Sequence, residues 1–191
     1  MNSLRPTSLS NCNKFGRFVW GFVWLFLFRP TARNMHGWRV FLLKIFGADI
    51  GKGAHVYPSA KIWAPWNLEM GEHSCIAENV DCYCVNKVVI GAYATISQYS
   101  HLCTASHDYS ESSMPLVAAP IKIGAKAWIT ADVFIGPGVT IGEGSVVTAR
   151  SSVFADIPSW VVARGNPATP IRARVLDSEN PSIDIKTTPC K

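Results

Sequence analysis

From Ile50 onward, aliphatic residues recur at every sixth position. Ile50, Val56, Ile62 and Leu68 carry the first register, and the phase then slips by two residues. Met70, Ile76, Cys82 and Val88 carry the second register, and after another slip it returns at Ile90, Ile96 and Leu102. Beyond an interruption it runs without error through Ile123, Ile129, Ile135, Ile141, Val147 and Val153. This spacing matches neither the period of an amphipathic helix nor that of an alternating sandwich strand. It fits a hexapeptide solenoid, in which each repeat is a short strand followed by a sharp turn. Three repeats close one triangular coil, and each recurring aliphatic side chain points inward onto its counterpart one coil away. A single coil cannot bury its interior, so coils must stack. Small residues at the corners, such as Gly51, Gly91, Gly124, Gly136 and Gly142, suit tight turns. The reading is an all-β parallel β-helix of about five coils over residues 50–158, with a helical arm at 1–49 and a closing segment and tail at 159–191.

Composition narrows the function classes. Only 16% of the 191 residues are charged and 48% are apolar, which points to a buried oligomer interface or a membrane contact. The net charge of +5 favours anionic partners. No run of Lys and Arg reaches nucleic-acid-binding density, so no nucleic acid is expected. Cys82-Tyr83-Cys84 lacks the CxxC spacing and second knuckle of a zinc ribbon. The six cysteines, Cys190 among them, read mostly as reduced core fillers, and no metal is called for.

The arm contains eleven unbroken apolar residues, Phe18 to Phe28. As a helix this run extends about 16 Å, short of the roughly 30 Å hydrocarbon core of a bilayer. Two readings stand side by side. In one, residues 14–33 lie on a membrane surface, with Trp20 and Trp24 at headgroup level and Lys14, Arg17, Arg29 and Arg33 facing anionic lipid. In the other, the helix packs over the end of the β-helix or against a second subunit. A second helix is predicted from Trp38 to Phe46, with Trp38, Phe41, Leu42 and Ile45 on one stripe and Gly47 as its stop.

The interruption at 108–122 is a polar excursion that a regular coil does not need, and loops on rigid scaffolds often carry function. His107 stands where the repeat hands over to it and can act as a general base at neutral pH. Asp81 is a polar residue amid Val80, Cys82 and Tyr83, able to bind acceptor hydroxyls or to occupy a corner. His101 reads as surface or structural, and His55 and His73, one nominal coil apart, are expected to stack.

Cys103-Thr104-Ala105-Ser106-His107-Asp108-Tyr109, then Pro120-Ile121-Lys122-Ile123-Gly124 and Ala127-Trp128-Ile129, resemble hexapeptide-repeat sugar O-acetyltransferases. Within them the likeness is to the colanic acid biosynthesis acetyltransferase group. It extends through Arg29-Pro30, His36-Gly37-Trp38-Arg39, Phe46-Gly47-Ala48 and Trp63-Ala64-Pro65-Trp66-Asn67-Leu68. The resemblance implies a left-handed β-helix, a homotrimer with active sites between subunits, and acetyl-CoA as donor. The implied acceptor is a sugar hydroxyl, free or on a lipid-linked saccharide, in exopolysaccharide, O-antigen or capsule assembly. The implied place is the cytoplasm or the inner face of the membrane. By the same resemblance His107 is the base, Trp128, Ala131 and Ala149 line the cofactor groove, and Arg172, with Arg164 as second candidate, meets the nucleotide phosphates. Asp81, Asn86 and Asp108 are the candidates for the acceptor side. One departure stands out, since Ala77 occupies the place of an acceptor-binding asparagine in the galactoside enzymes. Alternatives are a serine or amino-sugar acetyltransferase, a noncatalytic trimer, and a zinc enzyme with His101 and His107 supplying ligands between subunits.

Overall fold

The computed structural model describes residues 5–7 and 10–176. Cys190 and the end of the tail lie outside the described residues. The chain folds as a left-handed parallel β-solenoid of about six turns, counting a last partial one, behind an N-terminal helical segment. Its three faces are parallel ladders. The first stacks Asp49–Ile50, Leu68–Met70, Val88–Ile90, Ile121–Ile123 and Thr140–Ile141. The second stacks His55–Val56, Cys75–Ile76, Thr95–Ile96, Trp128–Ile129, Val146–Val147 and Val161–Gly165. The third stacks Lys61–Ile62, Asp81–Tyr83, His101–Cys103, Phe134–Ile135 and Ser152–Val153.

The register explains why the repeat survives its slips. Ile50, Met70, Ile90, Ile123 and Ile141 form one inward stack, and Val56, Ile76, Ile96, Ile129 and Val147 form the next. Ile62, Cys82, Leu102, Ile135 and Val153 form the third. All are buried. At each slip the first-face strand is three residues long, and both its ends point inward, as in Leu68–Glu69–Met70 and Val88–Val89–Ile90. Strand side chains alternate with period two, so two added residues leave the inward orientation unchanged. The slips also lengthen the first coils, so His55 registers with Cys75 rather than His73. The expected His55–His73 stack is therefore absent. His55 instead meets His36, and His73 stacks on Tyr93.

The first coil presents a free edge of backbone carbonyls, which needs donors or a cover. The arm supplies both. Helix α1, Asn11–Val23, continues as a π-helical turn, Trp24–Phe28, and α2 spans His36–Ile45. Trp20 Nε1 donates to Ile62 O at 2.7 Å, and Trp24 Nε1 donates to Ala60 O at 2.8 Å. Arg39, fully buried, donates through Nε to Val56 O at 2.6 Å and through its terminal nitrogens to Thr31 Oγ1, Ala32 O and Arg33 O. Carbonyl and hydroxyl oxygens thus solvate a charge that burial alone would make costly. The arm packs on the solenoid, and Trp20 and Trp24 face its edge rather than a headgroup layer. The stripe predicted for α2 is also corrected. Arg39, Leu42 and Leu43 face inward, while Trp38, Phe41 and Ile45 are exposed. A guanidinium with edge carbonyls to satisfy outranks apolar side chains for the buried side.

Near this clamp, His36 Nδ1 lies 3.1 Å from both Val56 O and Arg39 Nη2. Burial holds the His36 imidazole below its ordinary value against the pull of the Val56 carbonyl, and the charge of Arg39 lowers it further. The folded state therefore resists a proton that the unfolded chain accepts. Stability from this group is intact above the ordinary histidine value of about 6.5 and declines as pH falls below it. Acidification to pH 5 should loosen the arm, read as faster proteolysis within residues 24–36. His36→Gln should flatten that pH dependence, and an unchanged profile in the variant would remove His36 as its source.

At the far end, Val161–Gly165 turns back on Ala168–Ala173 as an antiparallel pair that closes the second face. Arg174 fastens the closure through Nη1, which donates to Gly144 O at 2.7 Å and Lys126 O at 3.0 Å. Among the described residues Cys12, Cys75, Cys82, Cys84 and Cys103 are free thiols. Burial pushes those of Cys75 and Cys103 up, which suits inert packing.

Candidate active site

After Cys103 the chain leaves the third face. Ala105–His107 pairs antiparallel with Leu116–Ala118, and the solenoid resumes at Ile121–Ile123. Thr104, fully buried, anchors the departure, since its Oγ1 donates to Tyr83 O and accepts from Asn86 N, each at 2.9 Å. The outer strand of the hairpin has a further neighbour, because Arg5–Pro6 pairs with Leu116–Ala118. The N-terminus therefore braces the segment that carries His107, a contact with no signature in the repeat.

His107 is exposed and held at one nitrogen. Its Nδ1 lies 2.6 Å from Met114 O, and a carbonyl accepts only, so Nδ1 carries the hydrogen. In the neutral ring this leaves the Nε2 lone pair free to take a proton, which is the requirement for a general base. Among the described residues Asp108 makes its side-chain hydrogen bonds to Ser110 and none to the imidazole. Its Oδ1 accepts from Ser110 N at 2.9 Å and from Ser110 Oγ at 2.5 Å, and these bonds hold its carboxyl below the usual range. Asp108 organises the loop tip, and adjacent Ser106, His107 and Asp108 form no relay.

A separate groove of about 480 Å³ opens on the second face at the corner toward the third. It brings together Trp128, Ala131, Ala149 and Arg172, four of the five candidate cofactor residues. Trp128 is 47% exposed, and its Nε1 donates to Ser97 Oγ at 2.9 Å, which fixes the indole. Arg164 lies outside this lining, on the closing hairpin opposite Thr169. Ser97, Thr130 and Thr148 also line the groove and escaped the sequence reading. Coil arithmetic carries their signal, because each follows the inward residue of its second-face strand, Ile96, Ile129 or Val147.

The remaining candidates sit elsewhere. Asn86 Oδ1 accepts from Lys87 N at 2.7 Å, so its side chain caps its own turn at the foot of the excursion. Asp81 lies on the third face between Lys61 and His101 in register. A larger depression of about 610 Å³ on that face is lined by His101, Phe134 and the corner pair Asp132 and Arg150, which are 3.4 Å apart. His101 Nε2 is buried there with no hydrogen-bond partner among the described residues. Neither the groove nor this depression has a lining residue from the excursion. No group of three potential metal ligands assembles among the described residues of one chain.

Solenoid, excursion and groove define a class, and this chain belongs to the hexapeptide-repeat acetyltransferase family. It is 47% identical over 157 residues to the putative colanic acid biosynthesis acetyltransferase WcaF of Escherichia coli K12, covering 82% of this chain and 86% of that protein. Among solved structures it is similar to the hexapeptide-repeat acetyltransferase VCA0836 of Vibrio cholerae O1 biovar eltor, complexed with acetyl-coenzyme A. That likeness has a TM-score of 0.76 and 26% identity, and it covers 87% of this chain and 91% of the other. A galactoside acetyltransferase in complex with coenzyme A is similar with a TM-score of 0.73 and 27% identity, covering 90% and 86% of the two chains. No protein-family model matches the chain.

Proposed function

We propose that the protein transfers an acetyl group from acetyl-CoA to a sugar hydroxyl in exopolysaccharide, O-antigen or capsule assembly, with His107 as general base. The observation that carries this reading is the Nδ1 bond to Met114 O, which leaves Nε2 of an exposed imidazole free. Nε2 takes the proton of the acceptor hydroxyl as its oxygen attacks the thioester carbonyl. The tetrahedral adduct collapses, the C–S bond breaks, and the imidazolium returns the proton to the departing sulfur. Trp128, Ala131 and Ala149 would flank the pantetheine arm. Arg172 is the cation in the groove lining and suits the phosphates. The relatives support this donor and acceptor class, since one is named for colanic acid biosynthesis, one binds acetyl-CoA and one is a galactoside enzyme.

The groove and His107 lie on different parts of one chain. That separation supports a homotrimer in which the His107 of one subunit completes the groove of the next. Purified protein with acetyl-CoA and a panel of sugars should release CoA thiol and yield an acetylated sugar by mass spectrometry. Sedimentation equilibrium should report three chains per particle, and a stable, active monomer would sink the shared site.

Among the described residues no helix is long and apolar enough to cross a membrane. The arm nonetheless leaves Phe15, Phe18, Phe22 and Phe26 exposed, as it does Phe41 and Ile45 of α2. Lys14, Arg29 and Lys44 of the same segments are exposed as well. This supports a peripheral contact with the anionic inner face of the membrane. Full-length protein should bind anionic vesicles, less so at high salt, and Phe18→Ser with Phe22→Ser should release it. Equal binding to neutral vesicles or no effect of the serines would count against that contact.

A further inference from the structure

The third face carries a ladder that the transfer step itself does not employ. Trp63 and Tyr83 follow one another on successive coils, with ring centroids 5.3 Å apart and planes at 72°. The Arg17 guanidinium of α1 lies 4.1 Å from the centroid of Trp63 and is steadied by its Nε donating to Asn13 Oδ1 at 3.0 Å. Arg17 and Lys61 line a cavity of about 170 Å³ together with Trp20, Trp24 and Trp63. Among the described residues neither cation is within ion-pair distance of a carboxylate. At the other end Tyr83 and Leu116 both pack against the small apolar cluster of Val85, Ala105 and Ala118, and Leu116 is the cross-strand partner of His107. The features run from two cations with no carboxylate partner among the described residues, past two aromatic rings, toward the strand that carries the base.

We infer that this path is the acceptor subsite and that its ligand is an anionic saccharide. Tyr83, set edge-to-face against Trp63, gives a sugar ring an aromatic flank, and Arg17 with Lys61 holds a negatively charged group attached to it. This rests on the acetyl-transfer reading above and extends it to the acceptor. The C–H face of a pyranose is apolar and matches an aromatic side chain, while its hydroxyls need polar partners. Asp81, in register with Lys61 and two residues before Tyr83, supplies a carboxylate for them. Two cations beside indole rings in a half-buried cavity suit an anion better than a neutral group. That anion is either a uronate carboxylate within the glycan or the diphosphate of a lipid-linked saccharide.

Three probes separate these sources: methyl β-galactoside, methyl β-glucuronide, and galactose joined through diphosphate to a farnesyl chain. Saturation-transfer NMR reports binding, and CoA-thiol release reports turnover. Arg17→Gln with Lys61→Gln should raise KM about tenfold for at least one charged probe and leave the neutral probe and acetyl-CoA unchanged. The probe affected identifies the anion. Tyr83→Ala should raise KM for every saccharide that wild type uses, and Tyr83→Phe should restore it. Retained CoA binding confirms that each variant is folded. Unchanged KM for both charged probes in the Arg17/Lys61 variant, or for all saccharides in Tyr83→Ala, overturns the subsite. If wild type binds saccharide by NMR but transfers no acetyl group, the transferase reading fails. The subsite then stands or falls on whether Tyr83→Ala and the Arg17/Lys61 variant abolish that binding. Absence of binding for all three probes overturns the subsite outright.

Discussion

Replacing His107 by alanine should lower kcat by about 10²–10⁴, the usual loss when a general base is removed. Acetyl-CoA affinity and assembly should stay near wild type. The side chain is exposed and, among the described residues, hydrogen-bonds to Met114 O, so its removal leaves no cavity in the core. The imidazole contributes to proton transfer in the transition state and little to ground-state binding. Asp108→Asn should cost much less, because that carboxylate bonds to Ser110 rather than to the imidazole. Thiol release with a competent sugar acceptor measures both, with the native cysteines controlled for. An alanine variant that keeps more than half of wild-type kcat while chemistry limits the rate would exclude His107 as the base. His101 and Asp81 would be the next residues to test.

A larger structural effect is expected from a single methyl group at Gly91. A Cβ there would lie 2.4 Å from Ala125 N, with the Gly124 carbonyl carbon and Ala125 Cα also within 3 Å. All three contacts are backbone of the next coil, which cannot yield as a flexible side chain would. Parting the coils would stretch the bond from Gly91 N to Ile123 O, now 2.7 Å. Overpacking of this kind costs about 3 kcal/mol or more. For a chain of this size that lowers Tm by roughly 6–12 °C. Gly136→Ala, where the nearest atoms are the Phe154 ring edge and Val153 O at 3.3 and 3.4 Å, should cost clearly less. Thermal melts followed by circular dichroism would distinguish them, and equal melting temperatures would refute the steric account.

Much of the solenoid was legible because a stacked coil repeats one physical demand at a fixed interval. Ile123 through Val153 announce themselves, and even the slips at Leu68–Met70 and Val88–Ile90 preserve the inward side. His107 was legible for a different reason. It ends a register and begins a polar excursion, and the residue string around it resembles a family of enzymes. The surroundings of these residues were harder to read. The partner of His107 is a backbone carbonyl at Met114, and a carbonyl has no side-chain signature. The pairing of Arg5–Pro6 with the excursion joins segments more than a hundred residues apart.

The amino-acid pattern by itself determined a parallel β-helix interrupted between Leu102 and Ile123, because period and interruption are properties of one dimension. Tertiary structure alone decided which side of the arm is buried. Hydropathy marks Trp38, Phe41 and Ile45 for the core, yet the free carbonyl edge of the first coil requires donors, and Trp20, Trp24 and Arg39 supply them. It also decided that Trp128, Ala131, Ala149 and Arg172 share one groove while Arg164 does not. That grouping depends on coil length, corner geometry and the turn of the closing hairpin, which set distances in space that no single spacing in the chain records.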